Sequence, residues 1–140
     1  MTDKVFVDTN ILVYAHDLDS GNKHNQAAEI VSQLWESRNG VLSTQVLQEF
    51  HATLTRKVTS TLSKLEARKL VQKYSHWHLV LNDPSIIIQA SEIEESNNIS
   101  FWDALIVSAA YSQNVPTILT EDLNHGQIIE GIFIKNPFAK

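Results

Sequence analysis

Residues 4–14 read KVFVDTNILVY. Val5, Phe6 and Val7 form a short apolar run, suited to a buried strand. Asp8, Thr9 and Asn10 all favour helix N-caps, and Ile11 to Tyr14 continue in a helical pattern. A carboxylate at the point where a buried strand gives way to a helix is costly to desolvate unless something pairs with it. The stretch therefore predicts a strand–helix unit with Asp8 at the strand's carboxyl end. It also predicts that distant parts of the chain bring further carboxylates there, around a metal ion.

Working outward, residues 16–22 (HDLDSGN) form a polar loop, and residues 22–37 repeat apolar positions at helical spacing through Ala27, Ile30, Val31, Leu34 and Trp35. Asn39-Gly40 interrupts them, and residues 41–43 read as a second strand. Thr44 is the expected cap of a helix with Leu47, Phe50, Leu54 and Val58 on one side, and Ser63 opens another through about Tyr74. Residues 76–81 (HWHLVL) alternate like a third strand. Pro84 suits the first turn of a helix carrying Ile87, Ile88 and Ile93, which Asn97-Asn98 ends. An apolar helix over about 100–113, a fourth strand at 117–120 and a last one over 128–134 complete the reading. Alternating strands and helices predict an α/β fold: a mostly parallel central sheet of about five strands, sandwiched by helices. Ligands then belong beyond the carboxyl ends of the strands.

Composition narrows the class. A chain of 140 residues that is 43% hydrophobic, with four Gly and three Pro, fits one ordered domain over residues 1–140. No apolar run approaches the about 18 residues needed to span a bilayer. No basic-then-apolar signal segment opens the chain. Cysteine is absent, which excludes disulfides, thiol nucleophiles and thiolate metal sites. The expectation is a cytoplasmic protein. The net charge of −5 argues against a polyanionic partner, but six of the eleven Lys and Arg fall between Arg56 and Lys73. Arg56, Lys57, Lys69 and Lys73 are the candidate nucleic-acid contacts in that stretch, and a solvated helix face is its plain alternative.

Four acids stand out by position. Asp8 and Asp122 each follow a predicted strand at the same end of the sheet. Asp103 interrupts an otherwise apolar helix, sharing a face with Ile106 and Val107, and Glu49 borders the apolar stripe of its own helix. Singly, each has a structural reading: a helix cap for Asp8, a capping box with Ser100 for Asp103, a surface acid for Glu49, a turn residue for Asp122. Together they repel one another and raise each other's pKa unless a cation lies among them. Oxygen-only ligands select a hard ion, Mg2+ or Mn2+.

The stretches VFVDTNILVYAHD, QEF around Glu49, FWDALIVSAA around Asp103, and ILTEDLNHGQIIEGIFIKNPF at the end together resemble the PIN-domain family. Within it the chain is similar to VapC-type toxins of prokaryotic toxin–antitoxin pairs. The resemblance implies a metal-dependent endoribonuclease cutting structured RNA, commonly transfer RNA, to leave a 5′-phosphate and a 3′-hydroxyl. It implies catalytic, metal-holding roles for Asp8, Glu49, Asp103 and Asp122 with one or two ions. Thr120 is then a supporting hydroxyl, and Asn10 is counted beside it as a supporting side chain. It implies a VapB-type antitoxin and a homodimer. Glu121 departs from the usual neutral neighbour of the fourth acid and competes for that role.

Other machinery is thin. His76 and His78 would share a strand face without a third ligand, and His125 in Asn124-His125-Gly126 suits a turn. Trp102 beside Asp103 is either a rim aromatic or a surface for stacking a base. No glycine-rich phosphate loop or nucleophile elbow is present. A phosphatase using Asp8 as nucleophile usually carries a second Asp two residues on, where this chain has Asn10. A non-catalytic acidic pocket for a basic partner is the main alternative function.

Overall fold

The computed structural model describes residues 3–139. A six-stranded sheet has the order β3-β2-β1-β4-β6-β5, with β1 (Val5–Val7), β2 (Gly40–Ser43), β3 (His78–Val80), β4 (Thr117–Leu119), β5 (Ile128–Ile129) and β6 (Ile132–Lys135). Every pairing is parallel except β5 with β6. Helices α1 (Thr9–Tyr14), α2 (Asn22–Ser37), α3 (Thr44–Arg56), α4 (Lys64–Tyr74), α5 (Pro84–Asn97) and α6 (Phe101–Ser112) connect the strands and flank the sheet. From β1 the chain steps outward to β2 and β3, then returns to place β4 on the other side of β1. This reversal of strand order leaves a crevice beyond the carboxyl ends of β1 and β4.

Local chemistry sets most boundaries. Ser63 caps α4 in a reciprocal capping box with Glu66. Asp83 caps α5, Pro84 occupies its first position, and Asn98 closes it in the left-handed conformation. The cap of α3 is Ser43, one residue before the expected Thr44; its hydroxyl accepts from the Val46 amide. Two further expectations change. The expected last strand is a hairpin of β5 and β6, so the sheet has six strands rather than about five. Glu130 and Gly131 both adopt positive φ, the geometry of a two-residue turn that matches strand twist. β3 starts at His78, so His76 lies in the turn after α4, its amide donating to Lys73 O at 3.2 Å. The two histidines therefore do not share a strand face.

All four residues of β2 are buried, as is every α6 residue from Ala104 to Ala110. One flank of the core is aromatic: Tyr74 packs on Phe50, Trp35 and Trp77 with ring centroids 5.3–5.6 Å apart. His16 joins this cluster, hydrogen-bonded to the Tyr74 hydroxyl. Burial, then the positive charges of Lys73 and His24, lower its pKa to about 4, so it is neutral near pH 7. A β-carbon at Gly40 would run into the Trp77 indole. Gly40→Ala is therefore expected to cost about 1–3 kcal/mol by overpacking, read from the midpoint of denaturant unfolding. No helix among the described residues is long and apolar enough to cross a membrane.

Candidate active site

The register that sets Val7 beside Leu119 carries Asp8 to the side of Thr120, and the Asp8 amide extends the ladder by donating to Leu119 O at 3.0 Å. The carboxylate is held on both oxygens. The Thr9 amide donates to Oδ1 and the Thr120 hydroxyl to Oδ2, each at 2.7 Å. Thr120 is fully buried, and its Oγ1 also accepts from the Asp122 amide at 3.1 Å, which fixes the start of the loop after β4.

The next two residues of α1 each hold another acid. Thr9 Oγ1 donates to Glu49 Oε1 at 2.7 Å, tying α1 to the middle of α3. Asn10 Nδ2 donates to both oxygens of Asp122, at 3.0 and 3.1 Å. Asp103 stands in the first turn of α6, where its amide donates to the capping Ser100 hydroxyl at 3.1 Å. All four expected acids line one cleft of about 290 Å3, together with Thr9, Asn10, Gln45, Lys57 and Trp102. The cap reading of Asp8 holds while its carboxyl lines the cleft; of the capping box expected for Asp103 only the half made by its amide and the Ser100 hydroxyl forms, and its side chain lines the cleft.

The electrostatics are those of crowded carboxylates. Asp8 is only 6% exposed. Burial lifts its pKa to about 7, and the negative charges of Asp122 and Glu49 add to the rise against the opposing bonds from Thr120 and Thr9. Asp122 is also raised, by partial burial and then by Asp103, Glu121 and Glu49. No three of His, Asp and Glu among the described residues are already drawn together into a ligand cage. Thr9 and Asn10 instead each hold one of the acids by a hydrogen bond. The donor set itself fits a hard divalent ion: its charged groups are all oxygen donors, and burial first, then mutual repulsion, raises two of them.

Glu121 does not share the place of Asp122. Its carboxylate accepts from the Tyr14 hydroxyl and pairs with Lys23 at 2.9 Å, and Lys23 in turn lies over the rings of Tyr14 and Phe138. His125 serves a turn, its Nδ1 accepting from the Asn136 amide at 3.0 Å.

The basic stretch divides. Lys57 alone of it lines the cleft, while Arg68 borders a groove between α3 and α4. Along α4, Lys64 and Arg68 are turned about 140° from Lys69 and Lys73, so no single row contains them all. Two residues of the cleft, Thr9 and Gln45, are not singled out by sequence pattern as site residues. Thr9 is hidden inside a run of cap-forming residues. Gln45 Nε2 donates to Trp102 O at 3.3 Å, joining the start of α3 to the start of α6. A glutamine in the first turn of an amphipathic helix is the one signal the sequence offers for it.

No curated protein sequence matches the chain. Solved structures do. VapC20 of Mycobacterium tuberculosis, described as a sarcin-ricin loop cleaving toxin, superposes with a TM-score of 0.66 at 20% identity, over 85% of this chain and 92% of that one. A toxin–antitoxin complex from Klebsiella pneumoniae gives 0.69 at 18% identity, over 96% and 98%. DNA-bound VapBC from Salmonella typhimurium gives 0.69 at 17% identity, over 98% and 99%. These likenesses show a common fold. A sequence profile of the PIN domain matches residues 5–129, a span that runs from β1 through β5, and the chain belongs to the PIN domain family.

Proposed function

We propose that this protein is a metal-dependent endoribonuclease, the toxin of a toxin–antitoxin pair. The observation that carries the reading is the convergence of Asp8, Glu49, Asp103 and Asp122, from four separate stretches of chain, on one cleft at the sheet's switch point. Membership of the PIN domain family supports the same chemistry, and the toxin complexes among its structural neighbours support a VapB-type antitoxin.

In this reading the four carboxylates hold one or two Mg2+ or Mn2+ ions. A bound ion of this kind lowers the pKa of water and neutralises charge at phosphorus. The protein's own part is to keep the carboxylates in place. Thr120 and the Thr9 amide orient Asp8, the Thr9 hydroxyl orients Glu49, and Asn10 orients Asp122. Lys57, on the cleft wall, meets the substrate phosphates. The substrate is structured RNA, with transfer RNA the first candidate, cut to a 5′-phosphate and a 3′-hydroxyl. The protein acts in the cytoplasm, as a homodimer.

The test is incubation of the purified protein with total cellular RNA in Mg2+, in Mn2+ and in excess chelator, followed by sequencing of the new ends. Cleavage is expected with either ion and none with chelator, and the cuts should carry 5′-phosphates. Lys57→Glu should weaken RNA binding and lower the slope of log affinity against log salt by about one. Equal cutting in chelator would refute the metal. Tight binding of a basic peptide with no RNA cut under any condition would favour the non-catalytic acidic pocket instead.

A further inference from the structure

Trp102 is 63% exposed, at the start of a helix that is buried from Ala104 to Ala110. Indoles are usually well covered in folded proteins, because so much apolar area is at stake. This one lies on the wall of the acidic cleft, beside Asp103 and in company with Lys57. It is also held in place. The ring of Phe101, itself packed against the core, meets it edge-on at 5.4 Å. Its carbonyl accepts from Gln45, which is only 7% exposed.

We propose that the Trp102 indole is the stacking surface for one nucleobase of the substrate, adjoining the phosphate that the cleft engages, so that it selects RNA with an unpaired base at the cut. The ligand follows from what adjoins what. An exposed aromatic plane on an anchored main chain stands next to a cluster of carboxylates suited to a cation and next to one ammonium group. A base joined to a phosphate carries the matching parts. A base inside a duplex is already covered on both faces, so only a splayed or looped one can meet the indole. Gln45 acts here as a positioning residue, holding the main chain that carries Trp102 and Asp103. The proposal rests on the nuclease reading for its ligand, and the experiment separates the two.

The experiment compares wild type, Trp102→Ala and Trp102→Phe on a short single-stranded RNA and on the same RNA with abasic sites placed in turn along it. Both binding, by fluorescence anisotropy, and cleavage are followed. Trp102→Ala should weaken binding of the intact RNA about tenfold or more, with the loss falling on KM. Trp102→Phe should recover most of it. One abasic position should cost wild type a similar factor and cost Trp102→Ala nothing further. Equal losses for Trp102→Ala on intact and abasic RNA would overturn the stacking role. So would unchanged RNA binding accompanied by a shift in sedimentation, which would make the indole a contact between protein copies. If wild type cuts no RNA but binds it with this base- and Trp102-dependent pattern, the stacking site stands and the nuclease reading fails. Metal-dependent cutting indifferent to Trp102 and to every base would leave the nuclease standing and remove the stacking site.

Discussion

Asp8→Asn should lower RNA cleavage by on the order of a hundred- to a thousandfold or more while the protein stays folded. The two side chains have nearly the same shape, so β1, α1 and the crevice between β1 and β4 have no reason to rearrange. The Thr9 amide can still donate to the asparagine oxygen. The Thr120 hydroxyl, which gives its proton to Asp8 Oδ2, can turn to accept one from the new amide. What is lost is one negative oxygen on the most buried of the four acids, where a cation would be least screened by water. Single-turnover cleavage beside a thermal melt checks both halves. Full activity with an unchanged melt would remove Asp8 from the site.

The same substitution should make the metal-free protein more stable at alkaline pH, by on the order of a few kcal/mol. Burial, with Asp122 and Glu49 nearby, raises the folded-state pKa of Asp8 from 3.8 to about 7. Between those values the folded state binds a proton that the unfolded state has already released. Stability therefore falls as pH rises from about 4 to about 7 and is level above that. His16 works against this trend, because its pKa is lowered from 6.5 to about 4 and its contribution grows as pH rises over that window. The difference between wild type and Asp8→Asn cancels the His16 part and isolates Asp8. Denaturant unfolding in chelator should show the variant gaining on wild type from pH 4 upward, with the gap constant above about pH 7. Saturating Mn2+ should narrow it, since a ligand that binds only the folded state adds stability with its concentration. A gap that does not vary with pH would mean that Asp8 keeps an ordinary carboxylate pKa.

Both results trace to three consecutive residues. Asp8, Thr9 and Asn10 supply a buried acid, the hydroxyl that holds Glu49 and the amide that holds Asp122. The same triplet starts α1. A cap-forming run serves folding and site geometry together, which explains why the plain and the functional readings of Asp8 cannot be separated along the chain.

Local pattern was enough for the elements. The strand–helix unit of residues 4–14, the span of α2, the Ser63 start of α4 and the Pro84 start of α5 depend on neighbours within a few positions, so they were legible in the sequence. Alternation of strands and helices was enough for the parallel sheet, and the positions of the four acids for their gathering at one end. Only the tertiary structure decided the rest. A two-residue turn at Glu130-Gly131 split the last strand; pairing of β5 with β6 and of β6 with β4 holds it, and no Asn-Gly announces it. Glu121 was turned away from the cleft by Tyr14 and Lys23, which lie 107 and 98 positions away in the chain. The basic stretch was divided by the helical turn of α4, and Lys57 and Trp102 were brought to the acids by the packing of α3 and α6. Hydrophobic periodicity and caps report the backbone's own preferences over a turn or two. Which side chains face one another across the fold is set by packing between distant segments, and no local pattern carries that information.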